Sequence, residues 1–171
     1  MRLPFAEVDV GKDQCKCMRE RKLTRLRGYD YKQNGYYFVT ICTDKKERLF
    51  VPKISNKYGC FLPVDVVAGP WPAKIIENTQ IIERHILNIE KKFYIEVDFY
   101  SIMPEHIHMI LFLSRQGRET TNNTKLSWII NAFKGWTTRY FKKRIFQPNY
   151  YEHVMRNENA LSKIREYIQN N

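Results

Sequence analysis

The order of periodic segments along the chain is strand, helix, strand, strand, helix, strand. It predicts an α+β fold, a ferredoxin-like αβ sandwich with an antiparallel sheet, followed by one further C-terminal helix. Three observations carry this. The run Gly35-Tyr-Tyr-Phe-Val-Thr-Ile-Cys-Thr43 is dense in β-branched and aromatic residues and ends at Asp44-Lys45-Lys46. Residues 93–103 alternate apolar with polar, and after Pro104-Glu105 residues 106–113 return with Ile107, Met109, Leu111 and Leu113 opposite the histidines, as a hairpin does. Two long stretches carry apolar residues at i, i+3, i+4 and i+7, the mark of a helix with one buried face. With 171 residues, 43% hydrophobic and 14% aromatic, the chain is long enough to bury a core without disulfide or metal staples.

Taken in order, residues 1–34 form a basic N-terminal arm and residues 35–171 a single domain. The arm holds nine Lys and Arg against five acids, Arg25 and Arg27 among them, and shows neither regular period. After the first strand, residues 44–72 carry scattered Gly and Pro and suit an irregular connection or a peripheral hairpin. From Pro72 to about Lys91, Ile75, Ile76, Ile82, Ile86 and Ile89 trace one helical face, with the proline where a helix tolerates it. In the next strand Ile95, Val97 and Phe99 are expected on one side, with Tyr94, Glu96, Asp98 and Tyr100 on the other. Leu126, Ile129, Ile130, Phe133, Trp136, Thr137, Tyr140 and Phe141 define the second helix. Tyr150 to Met155 reads as a short strand. Asn157 then caps a last helix, near residues 158–171, with Leu161, Ile164 and Ile168 inward.

Charge narrows the partners. Lys plus Arg number 29 against 18 Asp plus Glu, a formal net charge of +11 and a pI near 9.5, which points to a polyanion. No apolar run approaches the roughly 18 residues of a membrane span, so nucleic acid outranks a membrane. Between Lys125 and Arg144 there are six basic residues and no acid. Lys134, Arg139, Lys142, Lys143 and Arg144 are therefore candidate phosphate contacts, with Arg25 and Arg27 of the arm. Cys15, Cys17, Cys42 and Cys60 lack zinc-ribbon spacing and read as free thiols. No secretory signal opens the chain, so a cytoplasmic, nucleoid-associated location is expected.

The chemistry concentrates at His106-Ile107-His108. On a strand, residues two apart project from the same face at about 7 Å, so with Ile107 pointing into a core the two imidazoles are either a two-toothed metal clamp or two polar residues on the wet face of a half-buried strand. Two imidazoles leave open positions on a divalent ion, and Mg²⁺ or Mn²⁺ is expected to serve. On the last helix Tyr167 and Asn171 lie one above the other on a single face.

These pieces occur in an order that resembles a known family. Met103-Pro-Glu-His-Ile-His-Met-Ile, the Trp-containing basic helix with Phe133-Lys134-Gly135, then Phe146-Gln-Pro-Asn-Tyr-Tyr-Glu-His-Val-Met-Arg-Asn157 and Glu166-Tyr-Ile-Gln-Asn-Asn171 resemble the REP-associated tyrosine transposases. These belong to the single-tyrosine HUH transposase superfamily. The likeness reaches upstream to Arg27-Gly-Tyr-Asp-Tyr31 and spans most of residues 25–171. It implies that His106 and His108 are the metal-binding pair, Tyr167 the nucleophile and Asn171 the third metal ligand. It also implies cleavage and strand transfer of single-stranded DNA through a 5′-phosphotyrosine, at palindromes that fold into hairpins, by a monomer or homodimer. His153 is a further candidate phosphate contact. A different class stays open on the residues alone: a non-catalytic ferredoxin-like module that binds single-stranded nucleic acid, with Tyr36, Tyr37 and Tyr100 as stacking platforms and no metal.

Overall fold

The computed structural model describes residue 29 and residues 33–56, 59–61, 71–114 and 125–169. The arm expected over residues 1–34 therefore lies outside the described residues, apart from Tyr29, Gln33 and Asn34. The elements are β1 (Gly35–Cys42), β2 (Lys53–Asn56), β3 (Gly59–Phe61), α1 (Ala73–Phe93), β4 (Glu96–Ile102), β5 (His106–Leu113), α2 (Leu126–Phe141), β6 (Tyr151–Met155) and α3 (Glu158–Gln169). The sheet runs in the order β3-β2-β4-β5-β1-β6 and every neighbouring pair is antiparallel. Within it, β4-β5-β1-β6 with α1 and α2 is the ferredoxin-like core, as the segment order predicts. The hairpin β2-β3 adds two strands at the β4 edge, where an irregular connection or a peripheral hairpin is expected.

The sheet separates two apolar layers of unequal depth. On one face Tyr37, Val39 and Ile41 of β1 and Ile107, Met109 and Leu111 of β5 pack against Ile82, Ile86 and Ile89 of α1 and Ile129, Ile130 and Phe133 of α2, all fully buried. On the other face α3 lies on a thinner cluster, Ile54, Phe99, Ile110, Met155, Leu161 and Ile168. The fold is thus helix pair, sheet, single helix.

Two details depart from the period-based expectation. The register of β4 against β5 shifts between Val97 and Phe99, so Asp98 is the extra residue of a bulge. Past it the faces exchange. Phe99 pairs with Ile110 on the α3 side, while Tyr100 joins Val97 and Ile102 in the helix-pair core. In α1, Ile76 is exposed and the first turns bury Asn78 and Thr79 instead. The reason is hydrogen bonding to the connection before β2. The Asn78 amide donates to the Leu49 carbonyl at 3.2 Å, and Thr79 Oγ1 accepts from the Val51 N–H at 2.8 Å. Both groups satisfy backbone polar atoms that would otherwise be buried unpaired.

Candidate active site

The histidine pair stands at the start of β5, on the face covered by α3. Cross-strand registration places Thr40 of β1 and Ser101 of β4 on either side of His108, and Tyr151 of β6 beyond Thr40. This gives one transverse row across four strands, Tyr151, Thr40, His108, Ser101, with all four side chains on the α3 face. His106 faces Cys42 in the next row.

The two imidazoles converge. Their Nε2 atoms are 3.0 Å apart, and Thr40 Oγ1 lies 2.9 Å from His108 Nδ1. The threonine hydroxyl can accept a proton from His108 Nδ1, and in that tautomer Nε2 keeps its lone pair for a metal ion. Burial pushes the pKa of His108 down to about 4, with the neighbouring His106 adding to the shift, and burial lowers that of His106 as well. Both rings are therefore neutral, the form in which imidazole binds a cation. Ser101 Oγ, fully buried beside His108, has no hydrogen-bond partner among the described residues. Two neutral imidazole nitrogens can ligate a divalent ion, although among the described residues no group of three His, Cys, Asp or Glu could hold one. Asn171, expected as the third ligand, lies outside the described residues.

Tyr167 comes to the clamp from α3. Its ring centroid is 5.7 Å from that of His108 and 6.3 Å from that of Phe38, edge-on to both, and 48% of the residue is exposed. The helix places it there for local reasons. Asn157 Oδ1 accepts the N–H of Ala160 at 2.8 Å and so starts α3 after β6, and Leu161 and Ile168 bury the stripe beside Tyr167. Two residues before the tyrosine, Arg165 Nε donates to Asp98 Oδ2 at 2.7 Å, and the Asp98 side chain is only 1% exposed. The bulge that interrupts β4 thus aims a buried carboxylate at the tyrosine helix. Arg165 also lies over the Tyr36 ring, 6.0 Å from its centroid.

The expected DNA contacts separate into groups. Lys142, Lys143 and Arg144 are exposed and follow α2 at the His106 end of the sheet, where Asp44 N–H bonds the Ile145 carbonyl at 2.7 Å and Gln147 N–H bonds the Cys42 carbonyl at 3.0 Å. The turn bonded to this segment carries Lys45 and Lys46, two exposed lysines for which the sequence offered no period or motif. Lys45, Lys46 and Lys142 have positive φ (51°, 57° and 53°), Lys142 as the left-handed cap that ends α2. Arg139 is exposed on α2, across the sheet from the clamp. Lys134 is turned onto the loop before β6, its ammonium donating to the carbonyls of Gln147, Pro148 and Asn149 at 2.8, 3.2 and 2.8 Å. Burial pushes its pKa down to about 8. His153 is exposed on β6, opposite Phe38 and on the clamp face. Arg25 and Arg27 lie outside the described residues. Of the aromatic platforms of the non-catalytic reading, Tyr37 and Tyr100 are buried, and Tyr36 packs on Phe112 with ring centroids 4.6 Å apart. None of the three presents a free ring face. Thr40, Asp98 and Arg165 escaped the sequence because their roles depend on strand register and on a bulge.

No protein-family model matches the chain. An uncharacterized protein of Haemophilus influenzae is 29% identical over 174 residues, which cover 90% of this chain and 89% of that protein. Among solved structures, a REP-associated tyrosine transposase bound to a REP hairpin superposes with a TM-score of 0.55 at 20% identity, over 84% of this chain and 69% of that one. Among the described residues no helix is long and apolar enough to cross a membrane. The chain therefore resembles the REP-associated tyrosine transposases in the order of its motifs, and it has their fold.

Proposed function

We propose that this chain is a REP-associated tyrosine transposase that cuts and rejoins single-stranded DNA at hairpin-forming palindromes, with Tyr167 as nucleophile. One observation carries the reading: the His106 and His108 Nε2 atoms converge to 3.0 Å directly beside the exposed ring of Tyr167, which enters on a separate helix. A core histidine pair needs no reactive side chain at its open side.

In this reading Tyr167 Oη attacks the scissile phosphorus. A bond forms between that oxygen and phosphorus, the bond to the 3′ oxygen breaks, and the phenolic proton passes to water, to which the half-exposed ring is open. The downstream fragment stays on the protein through its 5′ phosphate, and the departing 3′ oxygen takes a proton from water, so that the upstream fragment leaves with a free 3′ hydroxyl. Because the phenolate is itself a competent leaving group, a 3′ hydroxyl can reverse the step and join strands without an external energy source. His106 and His108, with Asn171 as proposed third ligand, would hold Mg²⁺ or Mn²⁺, which supplies Lewis-acid stabilisation of charge on a non-bridging phosphate oxygen. Thr40 keeps His108 in the ligating tautomer, and the Asp98–Arg165 pair holds α3 over the clamp. Lys45, Lys46, Lys142, Lys143 and Arg144 neutralise the DNA backbone beside it.

The test labels each end of a single-stranded hairpin oligonucleotide in turn and incubates it with protein and Mn²⁺ before denaturing electrophoresis. The 3′-labelled product migrates with the protein and the 5′-labelled one is extendable by a polymerase. An adduct that carries the 5′ label, or one formed equally by Tyr167→Phe, overturns the reading.

A further inference from the structure

Lys134 belongs to the basic helix α2, yet its charge is satisfied inside the protein. An ammonium has three protons, and this one has three acceptors, the carbonyls of Gln147, Pro148 and Asn149 at 2.8, 3.2 and 2.8 Å. The ring of Tyr150, next along the chain, has its centroid 5.7 Å from the same nitrogen, within cation–π distance. Burial lowers the pKa of Lys134 only to about 8, so at neutral pH this cradle holds a cation.

A series of hydrogen bonds leads from the cradle to the clamp. Gln147 N–H donates to the Cys42 carbonyl at 3.0 Å and its side-chain Nε2 to the Thr43 carbonyl at 3.2 Å, while Asp44 N–H donates back to the Ile145 carbonyl at 2.7 Å. Thr43 is fully buried and holds the other side. Its N–H donates to the Glu105 carbonyl at 2.8 Å, and its hydroxyl lies 2.9 Å from the same oxygen. Glu105 directly precedes His106, whose cross-strand partner is Cys42. His108 has Thr40 at its ring, whereas His106 is the first residue of β5, where the preceding turn must hold the strand end.

We propose that Lys134 is a positioning residue for the clamp: its ammonium locks residues 145–149 against the end of β1, and through Thr43 and Glu105 this sets the place of His106 relative to His108. The inference rests on the proposed function, because it takes the histidine pair as the metal site. Lys134 thus acts through its neighbours and touches neither ion nor DNA.

The experiment uses DNA-free protein at neutral pH and compares the chain with Lys134→Met, which keeps an unbranched stem and removes the ammonium. Amide exchange is read at Thr43, Asp44 and Gln147, whose N–H groups form the series, and Mn²⁺ affinity is read by electron paramagnetic resonance. Exchange at these three amides quickens by about 10-fold while α1 and β4 keep the parent rates, and Mn²⁺ affinity falls by about 10-fold, the lower end for loss of an outer-shell support. Lys134→Ala behaves alike, and n-propylammonium, which restores the missing carbons and charge, recovers both readouts where NaCl of equal ionic strength does not. Gln147→Ala, which removes only the Nε2 bond to Thr43, gives the same pattern at smaller amplitude and serves if the Lys134 variants do not fold. Parent-like Mn²⁺ affinity in the variants, or faster exchange spread evenly over α1, α2 and β4, overturns the assignment. A slope of log DNA affinity against log salt reduced by about 0.7 in Lys134→Met overturns it too, since that is the loss of a phosphate contact. If the parent binds Mn²⁺ but forms no adduct, and Lys134→Met still loses the ion, the cleavage reading falls and the positioning role stands.

Discussion

The two faces of the sheet are built to different rules. The helix-pair face is continuous hydrocarbon, with mostly Ile, Leu, Phe, Val and Tyr side chains from two helices, four strands and the loops between them closed over one another. The α3 face has a small apolar cluster at one side and, toward the start of β5, polar groups in a row: Thr40, His108, Ser101 and, two residues on, His106. Both faces come from the same strands, because alternate residues of β1 and β5 point to opposite sides. Stability is therefore concentrated on one side, which leaves the other free to hold imidazoles, a buried carboxylate and an exposed tyrosine at some local cost.

That division predicts that activity and stability respond to different substitutions. The largest effect is on chemistry. Tyr167→Phe abolishes the covalent adduct, since it lacks the attacking oxygen, and His106→Ala or excess EDTA abolishes cleavage; both variants still bind hairpin DNA and melt within a few degrees of the parent. Adduct yield, salt-matched affinity and Tm measured on the same preparations check this. Full nicking in EDTA would reject the clamp. The mirror experiment is Phe133→Ala, in the middle of the helix-pair core and fully buried. It costs about 3–5 kcal/mol of stability by denaturant titration, while the adduct formed per folded molecule stays near that of the parent.

Asp98 lies between these extremes, since it sits in the sheet but acts on α3. Asp98→Asn keeps the size of the side chain and removes its charge, leaving Arg165 without its ion-pair partner. Arg165 can turn toward water and no buried charge is left behind, so the loss is expected to be that of a charged hydrogen bond, about 1.5–3 kcal/mol. Hydrogen exchange should quicken in α3 before it does in α1 or α2, and adduct formation should fall with Mn²⁺ binding unaltered. Unchanged exchange in α3 would show that the pair does not dock the helix.

The same two-sidedness explains what the sequence revealed. Core elements and the His106/His108 face followed from periods of 2 and 3.6, since those periods record which side of an element is buried. The order of the last pieces made Tyr167 stand out among eleven tyrosines. What stayed hidden depends on register between distant segments. Thr40 is an ordinary strand threonine until pairing sets it against His108, and Asp98 reads as a solvent-facing residue until the bulge turns it toward Arg165. Lys134 looked like its basic neighbours, yet it lies one turn earlier on α2 and closes on three loop carbonyls. Composition identifies a cation without identifying what it faces.

The smallest effect expected is also the one that best separates the two faces, because it compares positive charges close together in sequence. Lys142, Lys143 and Arg144 stand at the clamp end of the sheet, next to Lys45 and Lys46, whereas Arg139 projects from α2 on the opposite side. If the strand follows the clamp, each lysine or arginine beside it releases about 0.7 of a counterion on binding single-stranded DNA. Replacing Lys142, Lys143 and Arg144 together by Ala should reduce the slope of log affinity against log salt by about 2, with no change in sequence preference, since backbone contacts carry no base information. Arg139→Ala should alter the slope by less than about 0.5. The Lys143–Glu47 contact is long, 3.9 Å, and both side chains are exposed, so its loss should not disturb stability measurably. Equal slopes for the triple variant and Arg139→Ala would mean that DNA lies across α2 instead of the clamp face, and the assignment of the two sides would have to be reversed.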